Sequence, residues 1–150
     1  MKDLTPGEKD LLLSDLCARL PYGVNVEYTY KVTVIATNEE EILTKPLFLY
    51  SINTLDDMTV SGIDDNGDQE ICFFSEIKPY LFPLSSMTEE QNEKALSLLK
   101  NCDYYIIDGT IKWLDICPIE FFDWCNKHHF DYRGLIPMGL ANDATGLNIY

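Results

Sequence analysis

The segment Val24–Val34 constrains the fold more than any other part of the chain, because apolar and polar residues alternate along its whole length. A period of two is typical of a β-strand that buries one face and leaves the other in solvent. The sequence therefore predicts a long strand here. The side chains predicted to face the core are those of Val24, Val26, Tyr28, Tyr30, Val32 and Val34.

An amphipathic helix is predicted directly before this strand. The capping-box pair Thr5 and Glu8 marks its start, and Pro21 with Gly23 marks its end. Its apolar face consists of Leu12, Leu16 and Leu20, with Leu13 and Cys17 beside them. Because only a short link joins the helix to the strand, we expect the helix to pack on the sheet that the strand begins.

Further strands are predicted at Pro46–Ile52 and Met58–Ile63, and the proline-containing segment Ile77–Leu84 is predicted to be an edge strand or a bent segment. The acidic run Asn38–Glu41 is interpreted as a solvated turn. The acidic loop Asp64–Asp68 contains Asn-Gly, which is typical of a tight hairpin.

A calcium loop is the alternative interpretation of that hairpin, because Asp64, Asn66 and Asp68 stand at alternate positions. The turn glycine of such a loop would fall at Gln69, however, and Ser75 stands where a bidentate Glu is needed. The sequence therefore favours a hairpin tip.

The C-terminal part is predicted to be helical and irregular. Thr88 and Gln91 form a second capping pattern, for a helix that should end near Asn101. Asp108-Gly109 predicts a hairpin between Tyr104–Ile107 and Thr110–Leu114, with an apolar irregular segment as the alternative, and Pro118 should open an aromatic helix. Glycines and prolines exclude one long helix over the tail, residues 130–150, whose apolar first half should pack against the sheet.

These elements predict an α+β fold. We expect an N-terminal helix, a small strongly bent antiparallel sheet or five-stranded barrel, C-terminal helices and an irregular tail. Residues 1–150 should form a single domain. Within it, residues 1–87 should contain the helix and the sheet, and residues 88–150 the helical and irregular part.

Charge and cysteine content restrict the setting of the protein. The chain carries 25 acidic and 11 basic residues, a net charge of −14, and the basic residues are scattered singly, so direct nucleic-acid binding is not expected. The five cysteines have no framework spacing, and the first residues lack an apolar signal core. We therefore expect a cytoplasmic protein with no disulfide and no membrane segment.

The densest polar and aromatic cluster comprises His128, His129, Asp131, Tyr132 and Arg133. An arginine held by Asp131 and backed by aromatic rings could bind a carboxylate or a phosphate. Such a cluster can instead staple a chain reversal after a helix, with Gly134 supplying the unusual backbone angles. The sequence favours the staple and leaves a binding site as the alternative.

Metal and thiol chemistry are not predicted. Cys125, His128 and His129 share a helix face, but a zinc site needs three or four such ligands, and no second Cys/His cluster supplies the rest. Cys117 stands at a helix start, where a thiol pKa can fall, yet His128 is roughly 15 Å further along that helix. We therefore predict no metal, no cofactor, no catalytic residue and no enzymatic activity.

Three segments carry a resemblance: Leu16–Val24, Ile77–Gln91 and His129–Ala141. They resemble a family of small uncharacterised proteins that is abundant in gut Bacteroides genomes, their phages and their mobile elements. The resemblance covers both ends and the middle of the chain, whereas Glu39–Gln69 and Asn101–Pro118 lie outside it. It implies a source and a genomic setting, and it supplies no catalytic residue.

Two classes of function follow from the sequence. The first is a non-enzymatic, acidic interaction module that binds a protein partner, in particular a modulator of a host or defence protein, which could mimic nucleic acid in a basic cleft. The alternative is a small-ligand-binding protein or an enzyme with a site around His128, His129, Asp131 and Arg133. The sequence identifies neither the partner nor the oligomeric state.

Overall fold

The computed structural model describes residues 3–55, 58–99 and 119–150, and the backbone alone of 104–107 and 110–113. Its first element is helix α1, Pro6–Arg19. The Thr5 hydroxyl accepts a hydrogen bond from the N–H of Glu8 at 3.3 Å, and the Glu8 carboxylate accepts one from the N–H of Thr5 at 2.8 Å. The predicted capping box is therefore confirmed.

The other elements follow in chain order. They are β1 Val24–Val34, β2 Glu39–Asn53, β3 Thr59–Ile63, β4 Gln69–Phe73, β5 Ile77–Leu81, α2 Glu89–Leu98, β6 Tyr104–Ile107, β7 Thr110–Trp113, α3 Ile119–Lys127 and β8 Asn142–Asp143. The combination of helices and sheet confirms the α+β class. The main sheet has six strands in the order β4-β3-β2-β1-β5-β8 and is open, so the sheet is formed rather than the barrel.

The sheet is mixed because its last pair is parallel. β4, β3, β2, β1 and β5 are antiparallel neighbours, whereas β5 and β8 run parallel. The two-residue strand β8 lies in the tail and carries no alternation that the sequence could reveal. β6 and β7 form a separate antiparallel pair, as predicted, while Asp108-Gly109 and Leu114 lie outside the described residues.

The alternation of β1 predicts its register correctly. Val24 and Val26 are completely buried, whereas Lys31 and Thr33 are exposed. From Tyr28 onward, the residues of the predicted core set are only half-buried. The same core contains Leu12 and Leu16 of α1, both completely or almost completely buried. The remaining members of the predicted helix face differ: Leu20 is half-buried and Cys17 is exposed.

The predicted turn at Asn38–Glu41 is wrong, because β2 begins at Glu39. The turn comprises residues 35–38, and Asn38 adopts a left-handed φ of 56°. All eleven residues of β1 have a partner in β2, down to the pair Val34 and Glu39. Acidic side chains are tolerated at this end of the hairpin because they are exposed, and Lys31 pairs with Glu40 at 3.1 Å.

Pro46 does not lie at the end of its strand, although proline often does. Pro46 lies inside β2, opposite Glu27 of β1. The pairing of β2 with β3 begins only at Phe48, opposite Ile63. At Pro46, β2 therefore lacks β3 as a second neighbour, and the missing N–H of proline leaves no gap in a ladder between them. The strand β2 is longer than the predicted segment Pro46–Ile52.

The hairpin at Asp64–Asp68 is confirmed, with a different turn from the expected one. The N–H of Gly67 donates to the carbonyl oxygen of Asp64 at 2.9 Å, and the N–H of Asp64 donates to that of Asp68 at 3.0 Å. Gly67 has φ +87°, whereas Asn66 is not in the left-handed region. This is a three-residue loop with a glycine bulge. The Asp64 carboxylate favours it by accepting the N–H groups of Asn66 and Asp68.

The chain divides into two compact units. The first ends at Pro79 and also includes Tyr150, and the second comprises Tyr80–Ile149. The sequence placed the corresponding division after residue 87. In the second unit, the Thr88 and Gln91 capping box is confirmed, and α2 ends at Leu98. Asn101, Cys102, Cys117 and Pro118 lie outside the described residues.

The core of the second unit joins its helices to the start of the tail. It consists of Ala95, Leu99, Phe121, Cys125, Phe130 and Tyr132, with Phe82, Leu84, Met87, Leu98, Phe122 and Trp124 packed against it. Phe130 and Tyr132 thus pack in the helical core, whereas the sequence predicted packing against the sheet. Leu135 and Leu140 are buried as expected, but Met138 is 45% exposed.

Candidate functional site

The cluster His128–Arg133 follows the C-terminal end of α3. His129 adopts a left-handed φ of 58° and donates its N–H to the carbonyl oxygen of Asn126, while Phe130 donates to that of Cys125. These two bonds satisfy the last carbonyl groups of the helix in a Schellman arrangement. The sequence predicted a glycine in this role, at Gly134, which also has a positive φ, of 77°. Histidine is among the residues that tolerate such angles.

Backbone bonds to Phe82 hold the reversal in place. The N–H of Phe82 donates to the His129 carbonyl oxygen at 2.9 Å, and the N–H of Asp131 donates to the Phe82 carbonyl oxygen at 2.8 Å. His129 and Asp131 are both almost completely buried. The conformation of this segment is therefore fixed from both sides by main-chain contacts within the second unit.

Asp131 caps the turn that follows. Its two carboxylate oxygens accept the N–H groups of Leu135 at 2.9 Å and of Ile136 at 2.8 Å. Charge-assisted bonds to a carboxylate that is 3% exposed are among the stronger hydrogen bonds in proteins. Asp131 thus performs the stapling role that the sequence favoured.

Arg133 stacks on the ring of Tyr132. The guanidinium carbon of Arg133 lies 4.9 Å from the centre of the Tyr132 ring, a cation–π arrangement. Tyr132 is buried and its ring also contacts that of Phe122, with centroids 4.9 Å apart. Arg133 is only half-buried, so its guanidinium group could contact an anionic ligand.

His128 lies against Trp124 of α3. The rings of His128 and Trp124 have centroids 4.9 Å apart. Desolvation by this packing, with a contribution from the Lys127 charge, lowers the pKa of His128 below its usual value. A neutral imidazole is the form that predominates at pH 7.

The described residues contain no group of three or more His, Cys, Asp and Glu side chains that could hold a metal ion. The three helical candidates are separated in exposure: Cys125 and His129 are buried and His128 is exposed. Cys17, Cys72 and Cys125 are free thiols, and the remaining two cysteines lie outside the part of the chain that is described.

A second polar cluster lies on the inner face of the sheet in the first unit, the face that carries Val24 and Val26. Lys45 contacts Asp64 at 2.8 Å and Glu70 at 2.6 Å. Its hydrogen bonds to these two carboxylates raise the pKa of Lys45, and the same lysine lowers the pKa of Asp64. With its carboxylate engaged by Lys45 and by backbone N–H groups, Asp64 is committed to the hairpin rather than to a calcium ion.

Tyr28 and Cys72 form a side-chain hydrogen bond beside this ion cluster. Burial, the largest cause, raises the pKa of Cys72 to about 12, and it raises that of Tyr28 to about 12. Both groups therefore keep their protons at neutral pH. A thiol in this state is a poor nucleophile, so this cluster is suited to packing rather than to covalent catalysis.

The outer face of the sheet in the first unit carries large apolar side chains in solvent. We define this outer face by Phe48, Ser61, Ile63, Ile71 and Phe73. Phe48 is 46% exposed, Ile71 74% and Phe73 50%. Ile71 lies opposite Ser61, and Phe73 lies opposite Thr59, so small hydroxyl side chains on β3 leave both uncovered.

Sequence reasoning did not find this surface. Ile71, Cys72 and Phe73 form a continuous apolar run, which gives no sign of which side chains are buried. In the structure Cys72 is completely buried, and its two neighbours point to the opposite face. A signal that could have found it is the pair of small hydroxyl residues, Thr59 and Ser61, on the neighbouring strand β3.

No family model matches the chain, and no curated protein or solved structure is significantly similar to it. None of the helices in the described residues has the length and apolar character required to cross a membrane.

Proposed function

We propose that the chain is a non-enzymatic, acidic protein-binding module, and that its outer face docks on a basic protein partner. The observation that carries this proposal is the exposure of Phe48, Ile71 and Phe73 on one face of one sheet. Single exposed apolar residues are common, whereas large ones grouped on one face are typical of interaction surfaces.

The charge of this part of the chain supports a basic partner. No Lys or Arg occurs between Lys45 and Lys78. The same interval contains seven acidic residues: Asp56, Asp57, Asp64, Asp65, Asp68, Glu70 and Glu76. Lys45 itself is engaged by two of these carboxylates. A negative field of this kind accelerates association with a positive surface and disfavours nucleic acid.

The setting of this activity follows from the sequence. The free thiols and the cysteine pattern support action in a reducing cytoplasm. The resemblance to small proteins of Bacteroides phages and mobile elements supports a role as a modulator of a host or defence protein. A basic cleft that normally holds nucleic acid is one form that the partner's surface would take.

A small-ligand site around His128, His129, Asp131, Tyr132 and Arg133 is the alternative. Its support is the half-buried Arg133 guanidinium above the Tyr132 ring, which could bind a carboxylate or a phosphate. Asp131 weighs against it, because both of its oxygens already accept backbone N–H groups. We therefore place the binding function on the outer face.

The test compares variants of exposed residues on the two units. The immobilised chain captures proteins from a lysate of the encoding organism, and each captured protein is then purified and its affinity measured by calorimetry. Ile71→Ser and Phe73→Ser should each weaken the affinity about tenfold or more, since burial of a large apolar side chain contributes roughly 1.5–3 kcal/mol.

The matched control is Leu96→Ser, which removes a 48% exposed apolar side chain from α2. It should leave the affinity unchanged. The affinity of the wild-type chain should fall as salt rises. Equal binding by wild type and both outer-face variants would refute the proposal, as would the failure of every captured protein to bind the purified chain.

A further inference from the structure

β4 stands at one end of the six-stranded sheet, and within the described residues no strand pairs with its far side. An edge strand presents backbone N–H and C=O groups to solvent and can template another strand. In an antiparallel ladder, hydrogen-bonded and non-bonded pairs alternate. Only every second residue of β4 therefore presents its backbone groups to solvent.

The hairpin turn decides this alternation. Asp64 donates its N–H to the carbonyl oxygen of Asp68, so these two residues form the closing hydrogen-bonded pair. In the same register, the next hydrogen-bonded pairs are Gly62 with Glu70 and Val60 with Cys72. The residues between them direct their backbone groups away from β3. These are Gln69, Ile71 and Phe73.

A side-chain contact at the end of the strand agrees with this assignment. The N–H of Phe73 donates to a carboxylate oxygen of Glu76 at 2.9 Å, which is possible only if it points away from β3. Glu76 thereby closes the edge at this end. The outward backbone groups of Gln69 and Ile71 and the carbonyl oxygen of Phe73 are the ones that an added strand would meet.

The edge lacks the usual protection against strand addition. Natural edge strands carry lysine, proline or a bulge, or are covered by another element. The sequence of β4 is Gln-Glu-Ile-Cys-Phe, its register with β3 is regular, and Ile71 is 74% exposed. Only its shortness, the inward-facing charge of Glu70 and the Glu76 contact at its end limit this edge.

We propose that β4 receives an extended segment of the partner as an additional strand, and that this segment alternates large apolar residues with Lys or Arg. The inference rests on the proposed function and specifies how the partner binds. Apolar side chains of the added strand would lie beside Ile71 and Phe73 on the outer face, and the basic ones would face the side of Glu70.

Charge selects this occupant over a second copy of the chain. Pairing of β4 with the β4 of another molecule would bring together two segments that each contain seven acidic residues and no basic one between Lys45 and Lys78. A net charge of −14 on each chain adds to this repulsion. A strand with alternating cationic side chains would instead be attracted to this acidic segment.

The experiment uses a fluorescein-labelled peptide of alternating lysine and valine, about seven residues long so that it spans the five residues of β4, and follows its anisotropy on titration with the full chain. The control peptide has the same sequence with every backbone amide N-methylated, so its charge is kept and its N–H donors are lost. Wild type should bind the first peptide at least about tenfold more tightly than the second.

Three variants locate the contact. Ile71→Pro removes an N–H that points away from β3, so the fold should persist, as checked by circular dichroism and a thermal melt. Ile71→Ser loses the same side chain but keeps the N–H, so Ile71→Pro should weaken peptide binding about tenfold or more beyond Ile71→Ser, whereas Leu96→Ser on α2 should not change it. In wild type, the Ile71 amide should gain protection from hydrogen exchange when the peptide binds.

Equal binding of the two peptides would overturn the inference, as would no binding at about 1 mM. A dimer of the chain that disappears on Ile71→Pro would overturn it in favour of a second copy. If a captured partner is weakened by Ile71→Ser and Phe73→Ser but is weakened no further by Ile71→Pro, strand addition fails while the proposed function stands. If the partner ignores all these variants, the proposed function itself fails.

Discussion

Arg19 and Asp15 form an ion pair one turn apart on α1 in which neither side chain is exposed to solvent. Nε of Arg19 lies 2.7 Å from Oδ2 of Asp15, and Nη2 lies 2.9 Å from Oδ1. Two parallel bonds of this kind satisfy both carboxylate oxygens and fix the guanidinium plane. The helix thus carries a charged pair in the core beside Leu12 and Leu16.

Removing one member of this pair should be more damaging than removing both. Arg19→Met leaves a buried carboxylate without its main counter-charge and should lower the free energy of unfolding by about 3–5 kcal/mol. The double variant Asp15→Leu with Arg19→Met should recover most of that loss. Urea unfolding of wild type, Arg19→Met, Asp15→Leu and the double variant measures the difference.

An exposed ion pair serves as the control. Lys31 and Glu40 are 3.1 Å apart, with side chains 52% and 65% exposed, so Lys31→Met should change the unfolding free energy by less than about 1 kcal/mol. For the buried pair, the double variant of Asp15 and Arg19 could instead lose as much unfolding free energy as the two single variants together. That result would contradict the interpretation of a coupled pair.

Gly23 and Gly7 should respond in opposite ways to replacement by alanine. Gly23 has φ +79°, and a Cβ there would lie 2.9 Å from Cε2 of Phe48. Gly23→Ala should therefore lower the unfolding free energy by about 1–2 kcal/mol or more. A Cβ on Gly7, in the first turn of α1, meets nothing within 4 Å.

Gly7→Ala should consequently stabilise the chain by about 0.4–1 kcal/mol, since alanine has less freedom to lose on folding. Thermal melts of the two variants test this pair of expectations. A neutral Gly23→Ala would mean that neither the backbone angle nor the Phe48 ring restricts this junction.

The parts of the fold that the sequence predicts are those set by local rules. The alternation of β1 and the capping boxes at Thr5 and Thr88 depend on residues a few positions apart, so pattern alone identifies them. The start of β2 escaped prediction because the acidic run at Glu39 is typical of a turn, and only pairing with Val34 makes it a strand.

Other side chains take positions that depend on contacts between residues, which the sequence pattern does not reveal. The charged residues Asp15 and Arg19 are expected in solvent, and their burial follows from their mutual pairing. The sequence brings His128–Arg133 together by adjacency alone. That Asp131 caps Leu135 and Ile136 emerges only from the folded backbone.

Alkaline pH should destabilise the chain through groups whose protons are held more tightly in the folded state. Burial raises the pKa of Cys72 from 9.0 to about 12, and it raises the pKa values of Tyr28 and Tyr150 from 10.0 to about 12. Since the unfolded chain loses these protons first, the stabilisation is complete below about pH 9 and is lost as pH rises toward 12.

Urea unfolding at pH 8 and pH 10.5 measures this loss. Cys72→Ala should show a smaller fall in unfolding free energy between the two pH values than wild type, because one of the perturbed groups is gone. Cys17→Ala, at an exposed thiol, should retain the full fall. Identical pH dependence in all three proteins would exclude a contribution from Cys72.

Asp131→Ala should destabilise the second unit. The variant leaves the buried N–H groups of Leu135 and Ile136 without their acceptor, and hydrogen bonds to a charged group are worth about 1.5–3 kcal/mol each. Asp131→Asn, which keeps one acceptor oxygen, should lose less. Chemical unfolding followed by tryptophan fluorescence reports on this region through Trp124, and equal stability of the three proteins would exclude the capping role.

The variant Arg133→Ala distinguishes between a structural staple and a binding site in the cluster His128–Arg133. If the cluster is a staple, the melting temperature should fall, because the contact of the guanidinium with the Tyr132 ring is lost, and capture of the partner should persist. An unchanged melting temperature together with abolished capture would move the binding function from the outer face to this cluster.

The sequential pairing of β1, β2, β3 and β4 has a consequence for the order in which the chain folds. Each of these strands pairs with the next one along the chain, so every ladder closes a short loop at low entropic cost. The parallel pair β5 and β8 joins residues as distant as Tyr80 and Asn142. Contacts of that kind form slowly. During synthesis the hairpins can therefore nucleate before the tail exists, and pulsed hydrogen exchange should find their amides protected first.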